Sequence, residues 1–166
     1  MRTPAAVISR DVESVRELAA GAGARVLVLA NGCFDPLHVG HVRYLEDART
    51  HGDFLVVALN NDESTRRLKG NDRPIVPELD RAALLAALRC VDAVLLFGTD
   101  NVEEILASLR PAVHAKGTDY TEDSVPEREH VRSYGGQVRI TGDPKDHSTR
   151  DVIRKITDSR EKKKTR

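Results

Sequence analysis

Two histidines stand three residues apart in His38-Val39-Gly40-His41, directly after Asn31-Gly32-Cys33-Phe34-Asp35-Pro36-Leu37. Side chains at that spacing share one face of a helix's first turn, and imidazole N–H groups donate well to anionic oxygen. A glycine at position 40 leaves room for a ligand to come close to the backbone. A helix N-terminus adds unsatisfied N–H groups and the positive end of the helix dipole, so the chemistry suggested is the holding of a nucleotide's phosphates. Gly32, Cys33, Phe34 and Asp35 then join Gly40 and His41 as nucleotide-contacting candidates. Cys33 is read as a small buried thiol rather than a reactive one, and Asp35 as a carboxylate that orients the loop.

That geometry needs a strand before the loop and a helix after it. Arg25–Ala30 is apolar and β-branched, and Val42–Ala48 has the spacing of an amphipathic helix. Further apolar runs at Phe54–Leu59, Ala93–Phe97, Ala112–Ala115 and Gln137–Ile140 alternate with helical patterns. These patterns cover Asp11–Ala20, His41–Thr50, Leu79–Leu88, Val102–Leu109, Val125–Tyr134 and Thr149–Ile156. Continuous apolar strands between helices predict a Rossmann-like, doubly wound α/β sheet of about five mainly parallel strands, with helices on both faces. Gly21-Ala22-Gly23, Gly52 and Gly135-Gly136 follow helical patterns, where left-handed closing residues are expected.

With 166 residues, 40% of them hydrophobic, the chain supports one core. Residues 1–157 are read as a single domain, with 1–24 as a helix and lead-in, and the charged stretch 158–166 as a frayed tail. Basic and acidic residues balance at 26 each and aromatics are 4%, which argues against a nucleic-acid partner. The two cysteines lack metal or redox spacing, and there is no signal core or long apolar span, so the expected location is cytoplasmic, without a membrane partner.

In such a sheet ligands bind beyond the carboxyl ends of the strands. Those positions are strongly polar here: Asn31–His41, Asn60-Asn61-Asp62, Lys116-Gly117-Thr118-Asp119-Tyr120 and Thr141–Thr149. Ser148 and Thr149 precede a short helical pattern, where hydroxyls both cap a helix and contact phosphate. Asp119 suits a substrate hydroxyl or a ribose. His51, His114 and His130 are read as structural or surface residues, and His147 as an additional candidate beside Ser148.

His-Val-Gly-His after Gly-Cys-Phe-Asp resembles the signature of the cytidylyltransferase-like nucleotidylyltransferases. Asn60–Gly70 (NNDESTRRLKG), then Arg73-Pro74 and Arg81, resembles the adenylyltransferase domain of ADP-heptose synthesis, as does Lys116-Gly117-Thr118-Asp119-Tyr120. The resemblance spans roughly Arg25 to Ile156. It implies that an ionised phosphate oxygen of the substrate attacks the α-phosphorus of a nucleoside triphosphate, expelling pyrophosphate. His38, His41 and Lys69 are the implied catalytic residues, Lys116 and Gly117 nucleotide contacts, and Asn60, Arg73, Arg81 and Asp119 contacts to the acceptor. Mg²⁺ enters as the ATP counter-ion, with no protein metal site, and a homodimer is implied.

Cytidylyltransferases of glycerol phosphate carry Arg-Thr-x-Gly-Ile-Ser-Thr before the last helix, where this chain has Asp143-Pro144-Lys145-Asp146-His147-Ser148-Thr149. That departure favours ATP and a heptose 1-phosphate, giving ADP-heptose. The alternatives are a CTP-dependent alcohol-phosphate cytidylyltransferase and, in another class, a non-catalytic nucleotide sensor.

Overall fold

The computed structural model describes residues 6–144 and, nearer the C-terminus, 149, 153–154 and 156–158. Six parallel strands, β1 (Val7–Ser9), β2 (Leu27–Gly32), β3 (Phe54–Asn60), β4 (Ala93–Phe97), β5 (Val113–Gly117) and β6 (Gln137–Thr141), form one sheet in the order β1-β4-β3-β2-β5-β6. The fold is Rossmann-like α/β, with one strand more than the sequence predicts. β1 pairs over three residues, Val7 to Ser9, with Ala93 to Leu95.

Alternation along β3 shows why the sheet is covered on both faces. Leu55, Val57 and Leu59 pack with Tyr44, Leu45 and Ala48 of α2 (Val39–Thr50) and with Ala82 and Leu85 of α4 (Glu78–Ala86). Phe54, Val56 and Ala58 pack on the other face with α1 (Val12–Gly21), α5 (Glu103–Leu109) and α6 (Arg128–Ser133), through Val15, Ile105, Leu106 and Val131. Each wholly buried leucine or valine contributes about 1.5–3 kcal/mol, so every strand of this central group is anchored twice.

The polar stretch after β3 that carries Lys69, for which the apolar pattern predicts no helix, forms helix α3 (Asp62–Lys69). Asn61 caps it by accepting the Ser64 N–H at 2.8 Å, with Asp62 and Glu63 in the first turn and Arg66, Arg67 and Lys69 in the last. Cap and charges together complement the helix dipole, and these local terms replace the missing apolar stripe.

Gly52 also departs from expectation, because it closes α2 without a left-handed backbone. A Cβ there would collide with the Val26 carbonyl oxygen and with Cγ2 of Val28, so close approach to β2 demands the glycine. Gly52→Ala is expected to destabilise the fold by about 1–3 kcal/mol, the usual cost of overpacking, and a thermal denaturation midpoint equal to wild type would contradict this.

Candidate active site

The order of strands reverses between β2 and β5, and the crevice beyond their carboxyl ends is where this architecture places ligands. β2 ends in Asn31 and Gly32, β5 in Lys116 and Gly117, and α2 begins beside them. Three contacts fix that helix across the reversal. The Tyr44 hydroxyl donates to the Ala115 carbonyl at 2.9 Å, the Gly142 N–H donates to Asp47 at 2.7 Å, and Arg43 pairs with Asp143 at 3.2 Å.

His38 is the N-cap of α2, and His41 closes the first turn with an imidazole version of a capping box. The His38 N–H donates to His41 Nδ1 at 3.4 Å, and the two rings stack with centroids 3.8 Å apart. Burial, helped by the neighbouring His38, pushes the pKa of His41 down to about 3, so this imidazole is neutral in the ligand-free protein. With Nδ1 accepting, the single ring proton sits on Nε2. Phe34, buried and in the left-handed region at φ 48°, sets its ring 5.0 Å from that of His41 in an edge contact. Gly40 lies half-buried in the same turn.

Lys116 is buried at the floor. Its ammonium donates to Asn31 Oδ1 at 3.0 Å and pairs with Glu127 at 3.2 Å, while the Tyr120 ring lies 5.3 Å away. Lysine offers only donors, which orients the Asn31 amide with its oxygen toward the lysine. Beneath lies His114, wholly buried, its Nε2 3.8 Å from Glu127, beyond hydrogen-bonding reach. Burial depresses the pKa values of His114 and Lys116, with the Glu127 charge opposing both shifts. Burial would raise Glu127, but His114 and Lys116 hold it down at about 2. Glu127 and His114 are absent from the site read from sequence, where Asn31 figures only as the start of a strand-end loop, although polar residues at alternate positions 114 and 116 of a buried strand demand partners.

Two of the expected substrate contacts take different roles. Arg81 is 1% exposed and its guanidinium is filled by protein: Nε donates to the Val76 carbonyl at 2.8 Å, Nη1 to the carbonyls of Cys33 (2.6 Å) and Asn60 (2.9 Å), and Nη2 to Asp62 at 2.7 Å. The expectation that it meets a substrate phosphate gives way to a clamp that joins the ends of β2 and β3. Asn60 is likewise buried, donating to Ser64 Oγ at 3.1 Å and the Thr99 carbonyl at 3.4 Å, with the Cys33 thiol 3.8 Å from its oxygen.

Asp35 and Arg73 bind one another. The Asp35 carboxylate accepts Arg73 Nε at 2.7 Å and the N–H groups of Ile75 and Val76, each at 2.8 Å, and Arg73 Nη2 also reaches the Asp35 carbonyl. This knot ties the loop after β2 to the α3–α4 connection. Lys69 ends α3, exposed, and makes no ion pair among the described residues. Gly70 follows it at φ 106°, ψ 168°, a conformation open in practice to glycine alone. Gly117 is half-buried with open space above its Cα, Asp119 is exposed, and Thr149 is helical and half-buried. Ser148, His147 and the tail from 159 lie outside the described residues.

The sequence profile of the family described as Cytidylyltransferase-like matches residues 29–161. The chain belongs to that family. Curated relatives named "Bifunctional protein HldE" include those of Pelobacter propionicus, 48% identical over 89% of this chain and 30% of the relative, and Geobacter sulfurreducens, 52% identical over 81% and 27%. The chain thus spans under a third of the length of these cytidylyltransferase-like relatives. Among solved structures, a lipopolysaccharide core biosynthesis protein from Thermoplasma volcanium superposes with TM-score 0.59 at 31% identity, covering 72% of this chain and 98% of that one. A pantothenate synthetase from Thermus thermophilus, at 16% identity, TM-score 0.61, and covering 88% of this chain and 67% of that one, shares the fold.

Proposed function

We propose that this cytidylyltransferase-like domain transfers AMP from ATP to a heptose 1-phosphate, giving ADP-heptose and pyrophosphate. The observation that carries the reading is the stacked His38–His41 pair on the N-terminus of α2, at the reversal of strand order. The relatives named HldE and the lipopolysaccharide core biosynthesis neighbour support the sugar.

The acceptor's phosphate oxygen is already ionised near neutral pH, so a strong general base is not required. It attacks the α-phosphorus, a P–O bond forms, the bond to the bridging oxygen breaks, and pyrophosphate leaves with its electron pair. The protein's task is in-line alignment and stabilisation of charge on the phosphates. His41 offers Nε2–H and a polyphosphate favours its protonation, while the first N–H groups of α2 add the helix dipole. Lys69 supplies a mobile cation from the end of α3. Asn31, oriented by Lys116, presents its amide N–H₂ to the nucleotide, and Asp119 and Thr149 face the remaining ligand groups.

Magnesium accompanies ATP, neutralising its phosphates. Asp35 fits no role as its ligand, since the carboxylate is wholly buried among Arg73, Ile75 and Val76, and no three His, Cys, Asp or Glu converge among the described residues. No helix among the described residues is long and apolar enough to cross a membrane. Location in the cytoplasm and a homodimer remain part of the proposal.

Purified protein with Mg²⁺, ATP or CTP, and a panel of sugar 1-phosphates and glycerol 3-phosphate is expected to release pyrophosphate with ATP and a heptose 1-phosphate. Turnover confined to CTP with the alcohol phosphate would overturn the reading, and so would ATP binding with no turnover on any acceptor.

A further inference from the structure

A cavity of about 410 Å³ opens at the opposite end of the sheet from the crevice, where α1, α5 and α6 terminate. Ala19, Leu27 and Leu109 give it an apolar wall, and the charged side chains among its described lining are all arginines: Arg16, Arg25 and Arg110. Tyr134, Gly135 and Gly136 also line it.

Most arginines nearby have a carboxylate within reach. Arg128 pairs with Asp123 at 2.7 Å, Arg132 with Glu129 at 3.6 Å, Arg139 with Glu122 at 3.5 Å, and Arg16 with Glu13. The guanidinium groups of Arg25 and Arg110 make no ion pair among the described residues, and of Arg25 the Asp53 carboxylate accepts only the backbone N–H, at 3.1 Å. Nor are these guanidinium groups required to cap the three helices, because the last-turn carbonyls already accept backbone N–H groups. Leu18 accepts from Ala22 at 2.9 Å, Leu106 from Arg110 at 2.9 Å and Arg132 from Gly135 at 3.0 Å.

Two further features mark the place. Arg110 sits at φ 44°, ψ 56°, the left-handed closing position that glycine normally takes, with its guanidinium 5.6 Å above the Tyr134 ring. The Tyr134 hydroxyl is buried with no hydrogen-bond partner among the described residues. Burial pushes its pKa up to about 12, so it remains a donor at physiological pH.

We propose that this cavity is a second anion site, in which the exposed Arg25 and Arg110 hold the phosphate of a small phosphorylated metabolite whose carbon portion lies on the apolar wall. A phosphate group offers acceptor oxygens and charge to two guanidinium forks that line the same cavity. The site stands apart from the nucleotide crevice and does not depend on the reaction proposed for it.

Amide NMR titrations with inorganic phosphate and with AMP test it, since resonances of Gly135 and Gly136 report this cavity and those of Gly40 and His41 report the crevice. Saturable shifts at Gly135 and Gly136 are expected, weakened about tenfold or more in Arg110→Gly and in Arg25→Ala, with the response at Gly40 and His41 unchanged. Tighter binding of AMP identifies a monoester as the ligand and equal binding identifies free phosphate; both support the site. Arg110→Gly relieves the left-handed backbone, so its melting temperature is expected to rise even as anion binding falls. Unsaturable drift at Gly135 and Gly136, or unaltered affinity in both variants, overturns the proposal.

Discussion

His41→Ala is expected to lower kcat for nucleotidyl transfer by about 10²–10³-fold, the loss typical of one donor aimed at developing transition-state charge. The same change removes the acceptor of the His38 N–H and the edge contact to Phe34, which is expected to cost about 1 kcal/mol of stability. A fall in kcat far beyond that small loss separates the phosphate role from a purely structural one. His41→Gln keeps an N–H donor at similar reach and is expected to recover part of the rate. Turnover within a few-fold of wild type in His41→Ala would remove His41 from the mechanism. A pH signature accompanies the prediction. The native pKa near 3 lies below that of an unfolded histidine, so the contribution of neutral His41 to stability is full above about pH 6.5 and declines as pH falls toward 3. His41→Gln is expected to show a shallower acid loss in chemical denaturation across that window.

The strands and most helices were legible because their apolar residues repeat at the periods that burial on one or both faces requires. β1 escaped notice since Val7–Ser9 is only three residues long and is held by pairing with β4, a nonlocal partner that no local pattern reveals. α3 escaped for a different reason: DESTRRLK has almost no apolar face, and its stability is local, in the Asn61 cap and the ordering of charges. The histidine motif and Lys116 are visible as residue types at strand ends, whereas Lys69, at the end of α3, is singled out only by the family resemblance. The roles of their neighbours are not legible, because nothing in the spacing of Arg81 distinguishes a guanidinium reaching solvent from one filled by the Val76, Cys33 and Asn60 carbonyls. The loop-orienting role of Asp35 is legible from its place after β2, but its partner Arg73 is not, because the two stand 38 residues apart and meet only in the fold.

Glu127 shows how a residue outside every motif can govern the site. It is buried beside Lys116, and Lys116 in turn orients Asn31 at the crevice floor. Glu127→Gln leaves a buried ammonium without its counter-charge, a loss that usually costs about 3–5 kcal/mol. Burial already lowers the pKa of Lys116 and Glu127 raises it, so removal of the carboxylate lowers it further. Two consequences have opposite signs. The unfolded chain then binds a proton that the folded chain gives up more readily, so the variant's stability is expected to rise with pH toward the unfolded lysine value. ATP affinity moves the other way, because Lys116 loses its charge and its hold on Asn31 as pH rises. Wild type, with Glu127 opposing the effect of burial on Lys116, is expected to lose less ATP affinity than the variant between about pH 7 and about pH 9. Calorimetric titration with ATP beside denaturation curves across that range reads both trends. If Glu127 merely props up the fold, ATP affinity in the variant improves as stability recovers; if it positions Lys116 for the nucleotide, affinity falls while the protein becomes more stable.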